Sequence, residues 1–288
     1  MILTLPQIEQ PTFTKPDPRW RALYGRTYTP PKTLADCKRI YKAHGFASLI
    51  GVGTNPKTAK SDEKGEYLTA ILYLAPASLS GYNTCPKASP GCIEGCLHTS
   101  GNPVYLPNKT KARVGRTRMY FENRELFIQC LIIELAAHIR RAQRQGLKPC
   151  VRLNGTSDIV WEIIAPQIFT IFKECQFYDY TKIDDRCRTS WTLPANYDLT
   201  LSWAEDNHDR VHAVVADNPD CKVAVVFKNV GTQKRPNFPA TFLGRPVKNA
   251  DGDDMRFKDP KGGIAGLFAK GDARHDTSGF VVDGSNAS

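Results

Sequence analysis

The sequence predicts an α/β fold, read as a partial or complete (β/α) barrel-like domain. Short apolar runs alternate with amphipathic helical stretches along most of the 288 residues. Such alternation implies parallel strand pairing through right-handed crossovers. About five to six such units suit a barrel better than a simple three-layer sandwich.

Residues 1–33 repeat prolines ("KPDPRW", "TPPKT") and aromatics, and read as an extended N-terminal arm. Residues 34–288 read as a single α/β domain. Its first helix is "LADCKRIYKAHG", stopped by Gly45 with Lys42 and His44 in the last turn. "NPKTAKSDEKG" reads as a polar loop. "YLTAILYLAPA" is an apolar strand that runs into a cysteine-bearing loop at 82–102. "KTKARVGRTRMY" is a basic stretch. "ENRELFIQCLIIELAAHIRRAQRQG" is the clearest helix, with Leu126, Cys130, Ile133 and Ala137 on one stripe and Gly146 as its stop. "CVRLNG" is a strand, and "SDIVWEIIAPQIFTIFKEC" a helix broken at Pro166. "FYDYTK" and "YDLTLSW" are strands, "NHDRVHAVVADN" a helix and "KVAVVFKN" a fifth strand. From Gly231 the chain is rich in Gly, Pro and Asp. This irregular C-terminal segment has one more strand at "GGIAGLFAKG" and an extended end piece. No internal repeat is visible.

The composition is that of a globular protein, 41% hydrophobic and 24% charged. No apolar run approaches the roughly 18 residues of a membrane span, and the start has no signal-peptide pattern. The expected setting is cytosolic, with no membrane partner. There, nine cysteines favour thiols or metal ligands over disulfides. The net charge of +10 suits phosphate-rich partners and solubility equally.

In parallel α/β folds, sites gather beyond the carboxyl ends of the strands. Each predicted strand here leads into polar groups: Asn154, Thr156, Ser157 and Asp158; Asp179, Thr181 and Lys182; Ser202, Glu205 and Asp206; Lys228 and Asn229. Ser157 or Asp158 could equally cap the helix that follows. Asp179 and Lys182 are stronger candidates, because turns do not require them; a mutual salt bridge is the alternative.

"YNTCPKASPGCIEGCLHTSGN" carries Cys85, Cys92 and Cys96 with His98 close behind. The spacing is C-x6-C-x3-C. Three clustered thiolates after a strand fit three irons of a 4Fe–4S cluster, with the fourth iron open or closed by a distant ligand. A Cys3His zinc site with His98 is the rival, although the spacing is not a usual zinc one. "KNADGDDMRFKD" offers Asp251, Asp253, Asp254 and Asp259, but lacks the closing glutamate of an EF-hand loop and reads as an acidic turn. No nucleophile-elbow or protease signature is present.

"LTAILYLAP", the cysteine loop, "VRLNGTSDIVWE", "FYDYTK" and "MRFKDPKGGIAGLFAKGDARHDTSGFVV" together resemble an uncharacterised bacteriophage family, the one carrying the gene product 88 domain. The resemblance spans roughly residues 50–283. It implies a phage protein of the host cytoplasm and carries no activity with it. The loop also resembles that of radical S-adenosylmethionine enzymes, which have a partial α/β barrel and a three-cysteine 4Fe–4S cluster with S-adenosylmethionine on the open iron. Their spacing is C-x3-C-x2-C, and no glycine-rich methionine-binding stretch stands here unless "RLNGTSD" serves. Three functions follow as expectations. In a radical-type enzyme, Cys85, Cys92 and Cys96 hold the cluster and Asn154, Asp158, Asp179 and Lys182 bind cofactor or substrate. A cluster protein without radical chemistry has a fourth protein ligand. In a zinc-braced nucleic-acid-binding protein, Lys109, Lys111, Arg113, Arg116 and Arg118, with Arg140, Arg141, Arg144 and Lys148, meet phosphates.

Overall fold

A computed structural model describes residues 30–53, 66–99, 106–232 and 234–285. Most of the predicted arm and the "NPKTAKSDEKG" loop lie outside the described residues.

The strands are β1 (Ile50–Val52), β2 (Tyr67–Leu72), β3 (Lys148–Arg152), β4 (Gln176–Thr181), β5 (Tyr197–Ser202), β6 (Val223–Lys228), β7 (Thr241–Phe242), β8 (Arg245–Asn249), β9 (Ile264–Phe268) and β10 (Val282–Asp283). They form one sheet in the order β1-β2-β3-β4-β5-β6-β9-β8-β7, with β10 beside β6. From β2 to β6 each new strand adds in parallel next to the last, the order expected from sequence. The sheet does not close. Antiparallel β1 forms one edge and antiparallel β7 the other, and among the described residues no ladder joins them. A complete barrel is therefore not what the chain builds.

The helices are α1 (Leu34–Ala43), α2 (Pro90–Glu94), α3 (Leu106–Glu122), α4 (Arg124–Arg144), α5 (Trp161–Ile164), α6 (Gln167–Ile171) and α7 (His208–Asp217). Thr33 and Asp36 close a capping box on α1, and Gly45 follows it at φ +78°. Alternation along the strands sends Ala70, Leu72, Val151, Phe177, Leu199, Leu201, Val223 and Val225 to one face. There they pack with α1, α4, α5, α6 and α7 in the main core. The opposite face is covered by the chain between β8 and β9. Asp254 accepts hydrogen bonds from Arg152 Nη1 at 2.9 Å and Tyr178 Oη at 3.0 Å, and Phe257 packs on Tyr67 and Tyr178.

Three elements differ from the sequence reading. The basic stretch lies inside α3, whose buried positions are only Thr117, Met119 and Tyr120. The helix expected from Ser157 is two short helices, because the side chain of Asn154 holds residues 154–161 in a turn: Oδ1 accepts from Ser157 Oγ, Ile159 N and Trp161 Nε1, while Nδ2 donates to Ile159 O. The C-terminal segment is more regular than expected, with β7 to β10 in place of one strand. β10 fills a gap in the sheet: β5 pairs with Val223 and Ala224 of β6, and β10 with Phe227 and Lys228 further on.

His138 of α4 pins β2 to β3, its Nε2 lying 3.1 Å from Leu68 O and 3.3 Å from Cys150 O. Burial pushes its pKa down to about 4 from 6.5. The unfolded chain therefore takes up this proton first as pH falls. Stability from this residue is full above pH 6.5 and falls by about 3 kcal/mol on the way to pH 4. Urea unfolding of His138→Gln is expected to lack that part of the acid slope. Equal slopes in the two proteins would contradict this assignment.

Candidate metal centre

The loop that leaves β2 turns on Thr84, whose Oγ1 donates to Ala75 O at 2.6 Å and whose carbonyl accepts from Asp158 N at 2.8 Å. That second bond ties the exit of β2 to the exit of β3. The two exits cross closely at Gly155, where a Cβ would lie 2.6 Å from the Tyr73 ring and 2.8 Å from Leu72 O. Cys85 follows, with its sulfur 3.8 Å from Thr156 O and 3.5 Å from Ala77 N.

Cys92 lies on α2, a single turn with Ser89 as N-cap and Pro90 at its first position. Glu205, just past β5, closes that N-terminus. Its carboxylate accepts from Ser89 Oγ at 2.6 Å and Gly91 N at 2.7 Å. The C-terminal segment packs against the same turn. A Cβ on Gly91 would lie 2.0 Å from Ser278 Oγ and 2.8 Å from Phe280 Cβ, and one on Gly95 would lie 3.2 Å from Ala273 Cβ. Cys92 itself packs on the small cluster of Ala204, Ala273, Phe280 and Val281. Asp276 shapes this segment by accepting from Ser278 Oγ and Val281 N, while Lys228 Nζ donates to its carbonyl at 3.0 Å.

None of the nine cysteines is in a disulfide. Six are buried, Cys130 completely, as packing residues. Cys85, Cys92 and Cys96 are the three that are only half-buried. They lie near enough to feel one another's charge. Burial pushes the Cys85 thiol above its usual range and the Cys96 thiol up to about 11. Thiolates here therefore need a positive partner. Among the described residues, no three His, Cys, Asp or Glu side chains close around one ion-sized point. The Nδ1 of His98 is shielded from solvent and has no hydrogen-bond partner.

The strand-end residues divide into two groups. Asn154, Asp158 and Asp179 are buried and bound to the protein itself. Asp179 accepts from Asn154 N at 2.8 Å and Tyr197 Oη at 2.9 Å, and burial pushes its pKa up to about 7. Asp158 accepts from Arg186 Nη1 at 3.0 Å and Lys182 N at 2.7 Å. Glu162 takes two hydrogen bonds from the same guanidinium, each 2.9 Å. Lys182 differs, because its ammonium stands 5.4 Å over the Phe280 ring beside the loop. The Asp179–Lys182 salt bridge, the alternative to a functional role, is not among the ion pairs of the described residues: Asp179 takes Asn154 N and Tyr197 Oη, and the Lys182 ammonium lies over Phe280. In the acidic turn every carboxylate meets a cation: Asp251 with Lys270, Asp253 with Arg256, Asp254 with Arg152, and Asp259 with Arg256 and Lys248.

The basic stretch is also split. Lys109, Lys111 and Arg118 are exposed. Arg116 turns inward, donating to Ser48 O at 2.7 Å and Tyr73 O at 3.3 Å. Arg113 lies over the Tyr73 ring at 5.0 Å, with Nη1 3.5 Å from His98 O.

Residues 48–284, most of the chain, match the family model described as gene product 88. The chain belongs to the gene product 88 family. The expected relationship to a phage gene product family is thus shown, and β1 through β10 all lie inside the match. No curated protein and no solved structure matches this gene product 88 chain. Among its described residues no helix is long and apolar enough to cross a membrane.

Two features of this candidate site gave no sequence signal. The packing of Gly91 on Ser278 and Phe280 joins segments far apart in the chain. The separation of Arg113 from the rest of its basic stretch depends on which way each turn of α3 faces.

Proposed function

We propose that the loop from Tyr82 holds a 4Fe–4S cluster through Cys85, Cys92 and Cys96, making the chain an iron–sulfur protein. One observation carries this reading: three free, half-buried thiols share a neighbourhood at the end of β2. Their loop is fixed by contacts from the ends of β3, β5 and β9. In a cube each thiolate binds its own iron, so the sulfurs need not meet at one point. A single zinc requires that they do. In this reading Asn154, Asp158 and Asp179 set the turn that carries Thr156 to Cys85, and Lys182 alone of the four faces the loop. When bound, the cluster would supply one-electron chemistry.

The test is anaerobic purification with iron and sulfide analysis. A brown protein with absorption near ~400 nm and about four iron and four sulfide per chain is expected. Cys85→Ser, Cys92→Ser and Cys96→Ser should each lose most of that iron. A colourless protein with one zinc would overturn the reading. That second outcome is the Cys3His zinc site, which the unpartnered Nδ1 of His98 favours. The radical variant has its own check. Reduced, iron-loaded protein should cleave S-adenosylmethionine, and absence of both cleavage and binding removes that variant while leaving the cluster.

A further inference from the structure

The cations that are fully buried among the described residues meet carboxylates. Arg152 pairs with Asp254, Arg186 with Asp158 and Glu162, Arg256 with Asp253 and Asp259, and Lys222 with Asp198. The half-buried Arg116 and Arg245 donate to backbone carbonyls instead, and two further half-buried cations, Arg113 and Lys182, stand beside the cysteine loop. Arg113 has no carboxylate within salt-bridge distance among the described residues. Among the described residues its polar side-chain contact is the long bond to His98 O, and it stands next to Cys96. Lys182 has none either. Its ammonium rests over Phe280, whose cluster Cys92 joins. Two acids against the loop are already engaged, Glu205 by Ser89 and Gly91 and Asp158 by Arg186, although Asp158 also senses the Lys182 charge and the exposed Glu94 lies on the loop itself. A partly buried cation with no carboxylate at salt-bridge distance is costly, and so are buried thiolates. Here the two kinds of group adjoin.

We propose that Arg113 and Lys182 are the counter-charges of the anionic metal–thiolate centre on this loop, Arg113 on the Cys96 side and Lys182 on the Cys92 side. The inference rests on the cluster reading above. Fixed positive charge beside a cluster favours its reduced, more negative state and so raises its reduction potential. The two residues would set the potential and help retain the cluster without ligating it.

The experiment uses the anaerobic, iron-loaded full chain. Arg113→Gln and Lys182→Gln are compared with the charge-preserving Arg113→Lys and Lys182→Arg for iron content and for midpoint potential in a dye-mediated redox titration. Each Gln variant is expected to shift the potential negative, with a larger shift in the double variant. The charge-preserving variants should stay near the wild type. Loss of iron in the Gln variants alone, restored in the charge-preserving ones, also supports the role. Iron retained with unmoved or more positive potentials overturns it, and so does equal loss of iron in both sets, which marks a role in shape alone. A wild-type protein without iron removes the cluster reading itself, an outcome separate from iron-loaded protein with unmoved potentials.

Discussion

Arg186→Met is expected to lower the unfolding free energy by about 3–5 kcal/mol, the range for removing one member of a buried ion network. The guanidinium is fully enclosed and binds Asp158 and Glu162 together, with Tyr197 Oη at 3.1 Å and Thr181 Oγ1 at 3.2 Å as further partners. Methionine fills similar space but leaves two enclosed carboxylates without their cation. Trp191 Nε1 still reaches Glu162, and Lys182 N still reaches Asp158, so the loss is large rather than total. Against a typical stability of about 5–15 kcal/mol, this is a substantial fraction. The measurement is the urea midpoint with the slope checked for constancy. A variant within about 1 kcal/mol of the wild type would show that the two acids are protonated in the fold and need no partner.

Gly91→Ala should damage the site more selectively. The added methyl would meet Ser278 Oγ, Glu205 Oε1 and Phe280 Cβ, all closer than 3.0 Å. Ser278 can rotate away. Glu205 cannot move without loosening its hold on Gly91 N, and Phe280 is fixed through its backbone. Overpacking of this kind costs about 1–3 kcal/mol. It falls on the turn that carries Cys92, so iron per chain is expected to drop severalfold while the far edge of the sheet is unaffected. The checks are iron analysis and limited proteolysis of the segment after β9. Full iron content with unchanged cleavage would mean the contact is not maintained in solution.

The sequence made the parallel core legible because β2 to β6 are buried on both faces and read as short apolar runs between helices. It did not reveal an open sheet. Closure depends on how strands twist and on what fills the face opposite the helices, and here that face is taken by Asp254, Arg256 and Phe257 from a segment that looks like a polar turn. The convergence of strand-end residues was legible for Glu205, Lys182 and Lys228, which all reach the loop or the segment against it. Strand parity places Asp179 on the helix side with Phe177 and Thr181, where it accepts from Asn154 N and Tyr197 Oη. The helix over the basic stretch was hidden because α3 buries few apolar residues, so its periodicity is faint.

The packing of Phe280 on Gly91 sets an order of events during synthesis. The three cysteines emerge from the ribosome early, yet the surface that seats α2 is supplied by residues translated after β9. A nascent chain therefore presents its thiols on an unsupported loop for most of its production. If the loop holds the proposed cluster, metal delivery follows translation of β10, and a ribosome stalled before that point should yield chains that fail to retain iron.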